Sequence, residues 1–95
     1  MKRTYYVYIM TNVTHTVLYT GVTCNLQRRV YQHKSRRGSK FSSRYNITKL
    51  VYCERFNDVA SAIAREKQIK AGSRKRKLDL IRVRNKDWRD LYLEL

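Results

Sequence analysis

Two short segments of alternating β-branched and aromatic residues, 5–10 and 17–22, are parted by the turn-tolerant run TNVTHT. That pattern commits the start of the chain to an antiparallel hairpin. Side chains alternate faces along a strand, so Tyr6, Tyr8 and Met10 share one face, as do Val17, Tyr19 and Gly21. Pairing Met10 with Val17 sets Tyr8 opposite Tyr19 and Tyr6 opposite Gly21, all on one side. A two-residue slip would keep them there; a one-residue slip would not. Tyrosines are good strand formers and pack well, so this segment alone has an ordinary structural explanation.

The remaining elements follow from caps and periodicity. Asn25 is an N-cap for a helix through LQRRVYQHK. Residues 35–46, SRRGSKFSSRYN, form a basic loop with a helical turn near 41–45. TKLVYCERF, residues 48–56, alternates as a third strand. Asp58 caps the helix VASAIAREKQIKA, and Gly72 stands where a C′ glycine would end it. RKRKLDLIRV is a third, highly basic helix, and DWRDLYLEL is a short terminal helix or a tail packing Trp88, Leu91 and Leu95. The order β-β-α-β-α-α predicts an α+β fold, a three-stranded sheet flanked by helices, as a single domain over residues 1–95.

Charge narrows the partner. There are 22 Lys and Arg against 7 Asp and Glu, and no acidic residue precedes Glu54. Such a field attracts polyanions, nucleic acid above all. An anionic membrane competes, but the basic stretches lack the apolar opposite face of an interfacial helix. No apolar run approaches a signal segment or a membrane span, which predicts a soluble, cytoplasmic protein. Cys24 and Cys53 form no CxxC pair and the histidines are isolated, which disfavours a zinc site and fits free thiols in a reducing compartment.

Polar residues then fall where a core should be. On a wheel of roughly 100° per residue, Arg29 and His33 share the arc of Leu26 and Val30, the aliphatic anchors of the first helix. An unpaired buried guanidinium is costly, so Arg29 must find a partner or snorkel past the sheet edge, and His33 could be a satisfied core histidine. In the second helix Val59, Ala62, Ile63 and Ile69 form the apolar stripe, with Glu66 inside it. A carboxylate there is paired, for instance with Arg29, or binds a hard cation. Phenols, a guanidinium, an imidazole and a carboxylate suit phosphodiester hydrolysis, in which a cation holds charge and a base takes a proton from water. The chain has no GxSxG elbow and no GxxxxGK loop, so serine hydrolysis and nucleotide-cofactor binding are disfavoured.

These residues carry a resemblance. YVY at 6–8 and YTG at 19–21 resemble the paired motifs of the GIY-YIG nuclease superfamily. GVTCNLQRRVYQHK resembles its next element, an arginine followed by a histidine four residues on, and AREKQIK resembles its glutamate helix. The match runs through NKDWRDL and is nearest to the small stand-alone bacterial members, the UPF0213-like group. The resemblance implies a three-stranded antiparallel sheet and one divalent metal, Mg²⁺ or Mn²⁺, held by Glu66. It further implies Tyr8 as general base, Tyr19 lining the site and Arg29 on the phosphate, with Tyr6, Gly21, His33 and Lys40 in support. Tyr6 and Val7 replace the glycine and isoleucine of the first motif, and Thr20 the middle residue of the second. An ordinary phenol, near pKa ~10, is a poor base unless its site lowers that value.

The expected function is metal-dependent endonucleolytic cleavage of nucleic acid, DNA before RNA, by a monomer of low sequence specificity. Arg28, Arg36, Arg37, Arg44, Arg74 and Lys75 are expected to grip the backbone. The alternative is a binding protein of the same fold without useful catalysis.

Overall fold

The structure, a computed structural model, describes residues 3–35 and 40–95. Strands β1 (Tyr5–Thr11), β2 (Leu18–Thr23) and β3 (Lys49–Phe56) form one antiparallel sheet in the order β2-β1-β3. Helices α1 (Leu26–Lys34) and α2 (Lys40–Arg44) precede β3; α3 (Val59–Ala71), α4 (Arg74–Arg84) and a 3₁₀ turn (Leu91–Glu94) follow it. The architecture is the α+β sheet-and-helix fold that the element order predicts, with α2 and the 3₁₀ turn as short additions.

Central position makes β1 the spine of the core. Val7, Tyr8, Ile9, Met10 and Thr11 are all buried, because helices cover both faces. Burying each of its Val, Ile or Met side chains contributes roughly 1.5–3 kcal/mol. Val7 and Ile9 meet Ala62 of α3 and Ile81 of α4, whereas Tyr8 and Met10 meet Leu26 and Val30 of α1. A bulge between Ile9 and Met10 leaves Val51 as the extra residue on β3, so Val51 and Tyr52 both join the α3/α4 side while Leu50 joins the α1 side.

The hairpin register differs from the expected one by the face-preserving slip. Thr11 pairs with Leu18, Met10 with Tyr19 and Tyr8 with Gly21. The cause lies in Asn12, whose carboxamide oxygen accepts from the backbone N–H groups of Thr16 at 2.9 Å and Val17 at 3.1 Å. Thr11 Oγ1 also donates to the Val17 carbonyl at 2.8 Å. Both backbone groups of Val17 are thus consumed by side chains, and the ladder begins one residue later on each strand.

Helix termini agree with their caps at Asn25 and Asp58, whose side chains accept from the N–H groups of Arg28 and Ser61. Three details differ from expectation. Val59 and Ile63 are exposed, so the sheet-facing stripe of α3 is Ala62, Glu66 and Ile69, on an arc rotated from the predicted one. Gly72 ends α3 with φ −74° and ψ 160°, an extended rather than left-handed residue, because Ser73 immediately caps α4. Leu95 stays half exposed, while Leu91 and Tyr92 pack beside Tyr8 and Met10 and Trp88 packs on the opposite cluster.

Candidate active site

Tyr8 lies under α1 with 1% of its surface exposed. Its hydroxyl meets Nε2 of His33, which is fully buried, at 3.1 Å. The Tyr19 ring packs against both, 6.2 Å from the Tyr8 ring and 4.9 Å edge-on to the imidazole. Arg29, one turn before His33, donates to Gln32 Oε1 at 3.1 Å and lies near enough to the phenols of Tyr8 and Tyr19 to act on both. The wheel of α1 therefore delivers arginine and imidazole to the tyrosine face, and the guanidinium that needed a partner finds Gln32 beside the two phenols. Gln32 was not foreseen; its signal was the i,i+3 spacing from Arg29 on one helix.

Gly21 supports this cluster through the side chain it lacks. A Cβ built there would stand 2.5 Å from the Tyr8 hydroxyl oxygen and 2.6 Å from the adjoining ring carbon. The glycine admits the Tyr8 phenol itself, directly across the ladder.

Electrostatics leave the cluster with one net cation. Burial pushes the Tyr8 phenol up to about 12, outweighing the nearby Arg29 guanidinium, which acts downward. The site thus moves the phenol opposite to what a neutral-pH base requires. Burial, reinforced by Arg29, pushes His33 down to about 4, so the imidazole is neutral at physiological pH. Its Nδ1 is buried without a hydrogen-bond partner among the described residues. An orphaned buried N–H is the rarer and costlier case. We therefore place the ring proton on Nε2, from which it donates to the Tyr8 oxygen. That oxygen then accepts from His33 with the Arg29 guanidinium close by, a setting suited to a phenolate.

Glu66 lies on the inner stripe of α3 with 15% of its side chain exposed, and its ion partner is Lys70, 3.0 Å away on the same helix. The alternative pairing with Arg29 does not form. The groups acting on Tyr8, Arg29 and His33 do not include Glu66, and α3 buries Ala62 and Ile69 on the other face of the sheet. Among the described residues no three His, Cys, Asp or Glu side chains cluster for a metal. One carboxylate with an exposed, displaceable lysine fits a Mg²⁺-type ion, which keeps most of its waters and takes one or two carboxylates. It does not fit a zinc-type cage.

Other expected residues scatter. Tyr6 is half-buried beside Tyr8 and Met10, Lys40 is exposed at the start of α2, and Arg28 is exposed on α1. Arg44 lies over the Tyr45 ring at 5.5 Å, Lys75 is exposed, and Arg74 donates to the His15 carbonyl at 2.9 Å, tying α4 to the hairpin loop. Arg36 and Arg37 lie outside the described residues. Asn85 is fully employed in the fold: its amide donates to the carbonyls of Val51 at 3.1 Å and Arg89 at 2.9 Å. Its oxygen accepts from the Arg89 N–H at 2.9 Å.

The sheet, the tyrosine pair and the arginine helix coincide with a known family. A profile of the GIY-YIG catalytic domain matches residues 4–79, and the chain belongs to that family. Within it, the chain is 38% identical over 81 residues to a UPF0213 protein of Natronomonas pharaonis, covering 85% of this chain and 94% of that one. It is 41% identical over 76 residues to a UPF0213 protein of Clostridium perfringens, covering 80% and 81% of the two chains. The solution NMR structure of a UPF0213 protein from Bacillus halodurans superposes with a TM-score of 0.59 at 28% identity, covering 92% of both chains.

Proposed function

We propose that residues 1–95 act as one domain that hydrolyses phosphodiester bonds in nucleic acid, DNA before RNA, with a divalent Mg²⁺- or Mn²⁺-type ion and little sequence preference. The observation that carries this reading is the Tyr8–His33–Arg29 cluster, in which a buried phenol oxygen meets an imidazole nitrogen beside a guanidinium. Membership of a catalytic-domain family and a net charge of +15 support a polyanionic substrate. No helix among the described residues is long and apolar enough to cross a membrane.

Arg29 binds the scissile phosphate and holds its developing charge. Tyr8, as phenolate, takes the proton of the attacking water, while His33 and Arg29 orient and stabilise the phenolate oxygen. Tyr19 packs the ring pair and lines the phosphate approach. Glu66, on the α3 side of the sheet, would hold an ion that when bound supplies Lewis acidity to a phosphate, and its variant tests whether that ion acts on the phosphate at Arg29. Glu66→Gln is expected to abolish metal-stimulated cleavage while salt-dependent binding persists. Cleavage undiminished in that variant would remove Glu66 from the role, and binding without cleavage by the unsubstituted chain would assign a binding function instead.

A further inference from the structure

A second constellation lies on the other side of the sheet. Between β3, α3 and α4 is a cleft of about 480 Å³, within the size range of small-ligand sites. Its apolar lining comes from Ile69, Leu80 and Val83, and Val83 is 84% exposed, a large aliphatic surface left uncovered. Arg76 and Lys77 line the same cleft and make no ion pair among the described residues. Arg65 and Arg84 complete its cationic wall.

The polar wall is built rather than incidental. Arg65 Nε donates to Glu54 at 3.0 Å, and the Tyr52 hydroxyl donates to the same carboxylate. Arg84 lies over the Tyr52 ring at 5.3 Å and donates to the Cys53 carbonyl at 2.8 Å. Arg65 also donates to Gln68 Oε1 at 2.8 Å, which leaves the Gln68 amide hydrogens unspent. The cleft therefore holds fixed guanidinium planes, a carboxylate with spare lone pairs, an amide donor, apolar surface and unpaired cations.

We propose that this cleft binds single-stranded nucleic acid, taking an unpaired base against the apolar and guanidinium surface with the flanking phosphates on Arg76 and Lys77. Bases stack on guanidinium planes, and their edges need both acceptors and donors, which Glu54 and Gln68 supply. An acidic peptide would satisfy the cations but would face Glu54 and Asp79 as well. Tyr52 packs on the α3/α4 side and Tyr8 on the α1 side, so a strand in the cleft is a different segment from the one held by Arg29. The inference rests on the nucleic-acid reading but not on cleavage.

The test uses the full chain carrying Tyr8→Phe, titrated with a short oligothymidylate and with an abasic strand of equal length and charge. Backbone amide shifts report the location. The thymidylate is expected to move the amides of Gln68, Gly72 and Leu80 and to bind about tenfold more tightly than the abasic strand. Arg76→Gln with Lys77→Gln is expected to remove those shifts, whereas Arg82→Gln, the same charge loss on the same helix but outside the cleft, keeps them. Equal affinity for the two strands would overturn base insertion. Shifts confined to the Tyr8 face would overturn the site, and equal shifts with a polyglutamate peptide would assign the cleft to an acidic protein partner. Plasmid cleavage by the unsubstituted chain is scored separately, so failure of the cleft leaves the catalytic reading standing.

Discussion

Tyr8 and Gly21 define the residue scale, because one exists in its position only through the other. Gly21→Ala would drive a methyl into the Tyr8 ring and hydroxyl, both held by packing on α1. Overpacking of this kind costs roughly 1–3 kcal/mol, and the phenol must leave His33. The expected outcome is a lower Tm together with lost cleavage; an unchanged Tm would show that the ring has somewhere to go. His33 makes a pH prediction whose sign is fixed. Its folded pKa, about 4, lies below the ordinary 6.5, so the unfolded chain binds more protons between those values. Stability is complete above pH 6.5 and falls as pH drops toward 4, by up to about 3 kcal/mol. Urea titrations across that window should lose the slope in His33→Gln. Catalysis follows the phenol instead: with Tyr8 pushed up to about 12, single-turnover cleavage by the unsubstituted chain should rise with pH through the neutral range, and a flat profile would remove the phenol from the role of base. At this scale Arg29 and His33 were legible from the wheel, since charge on an aliphatic arc has few explanations. The rise of the Tyr8 phenol was not, because it depends on how completely α1 excludes water.

Elements are joined here by amide side chains that replace backbone partners. Asn12 closes the hairpin, and Asn85 ties α4 and the following turn to the bulged carbonyl of Val51. Trp88 stands just beyond in the left-handed region, φ 55°, stacked on His15 at 4.3 Å. A bulky residue is strained in that region, and the Asn85 contacts on either side hold it there. Asn85→Ala would strand the Val51 carbonyl and release the tail, with a cost of about 1–3 kcal/mol. Faster amide exchange in the 3₁₀ turn than in β1 would accompany it; unchanged exchange would contradict the tie. Strand and helix spans were legible because alternation, Asn25 and Asp58 mark them locally. The register was not, because a side chain took over the hydrogen bonds of Val17 and no pattern of apolar residues records that. The stripe of α3 was misjudged for a related reason. Glu66 and the small Ala62 face the sheet, while Val59 and Ile63, the more hydrophobic choices, face water.

For the whole molecule, one sheet separates two cationic constellations. The α1 face holds the tyrosine–arginine cluster, and the α3/α4 face holds a cationic cleft. With +15 net charge, nucleic-acid affinity should fall steeply and linearly in log–log salt titrations. Neutralising Arg36, Arg37, Arg74 and Lys75 should flatten that slope, by about 0.9 per lost phosphate contact on duplex DNA; an unchanged slope would place the footprint elsewhere. The class of partner was legible from composition, since no acidic residue precedes Glu54. The cleft was not, because its walls come from β3, α3 and α4, which no local pattern brings together. Cleavage through Tyr8 is the central claim, and supercoiled plasmid tests it most directly, with the unsubstituted chain and Tyr8→Phe compared in Mg²⁺ or Mn²⁺ and in chelator. Metal-dependent nicking by the unsubstituted chain, lost in Tyr8→Phe whose fold and binding persist, is the predicted result. Equal nicking by both proteins would contradict it.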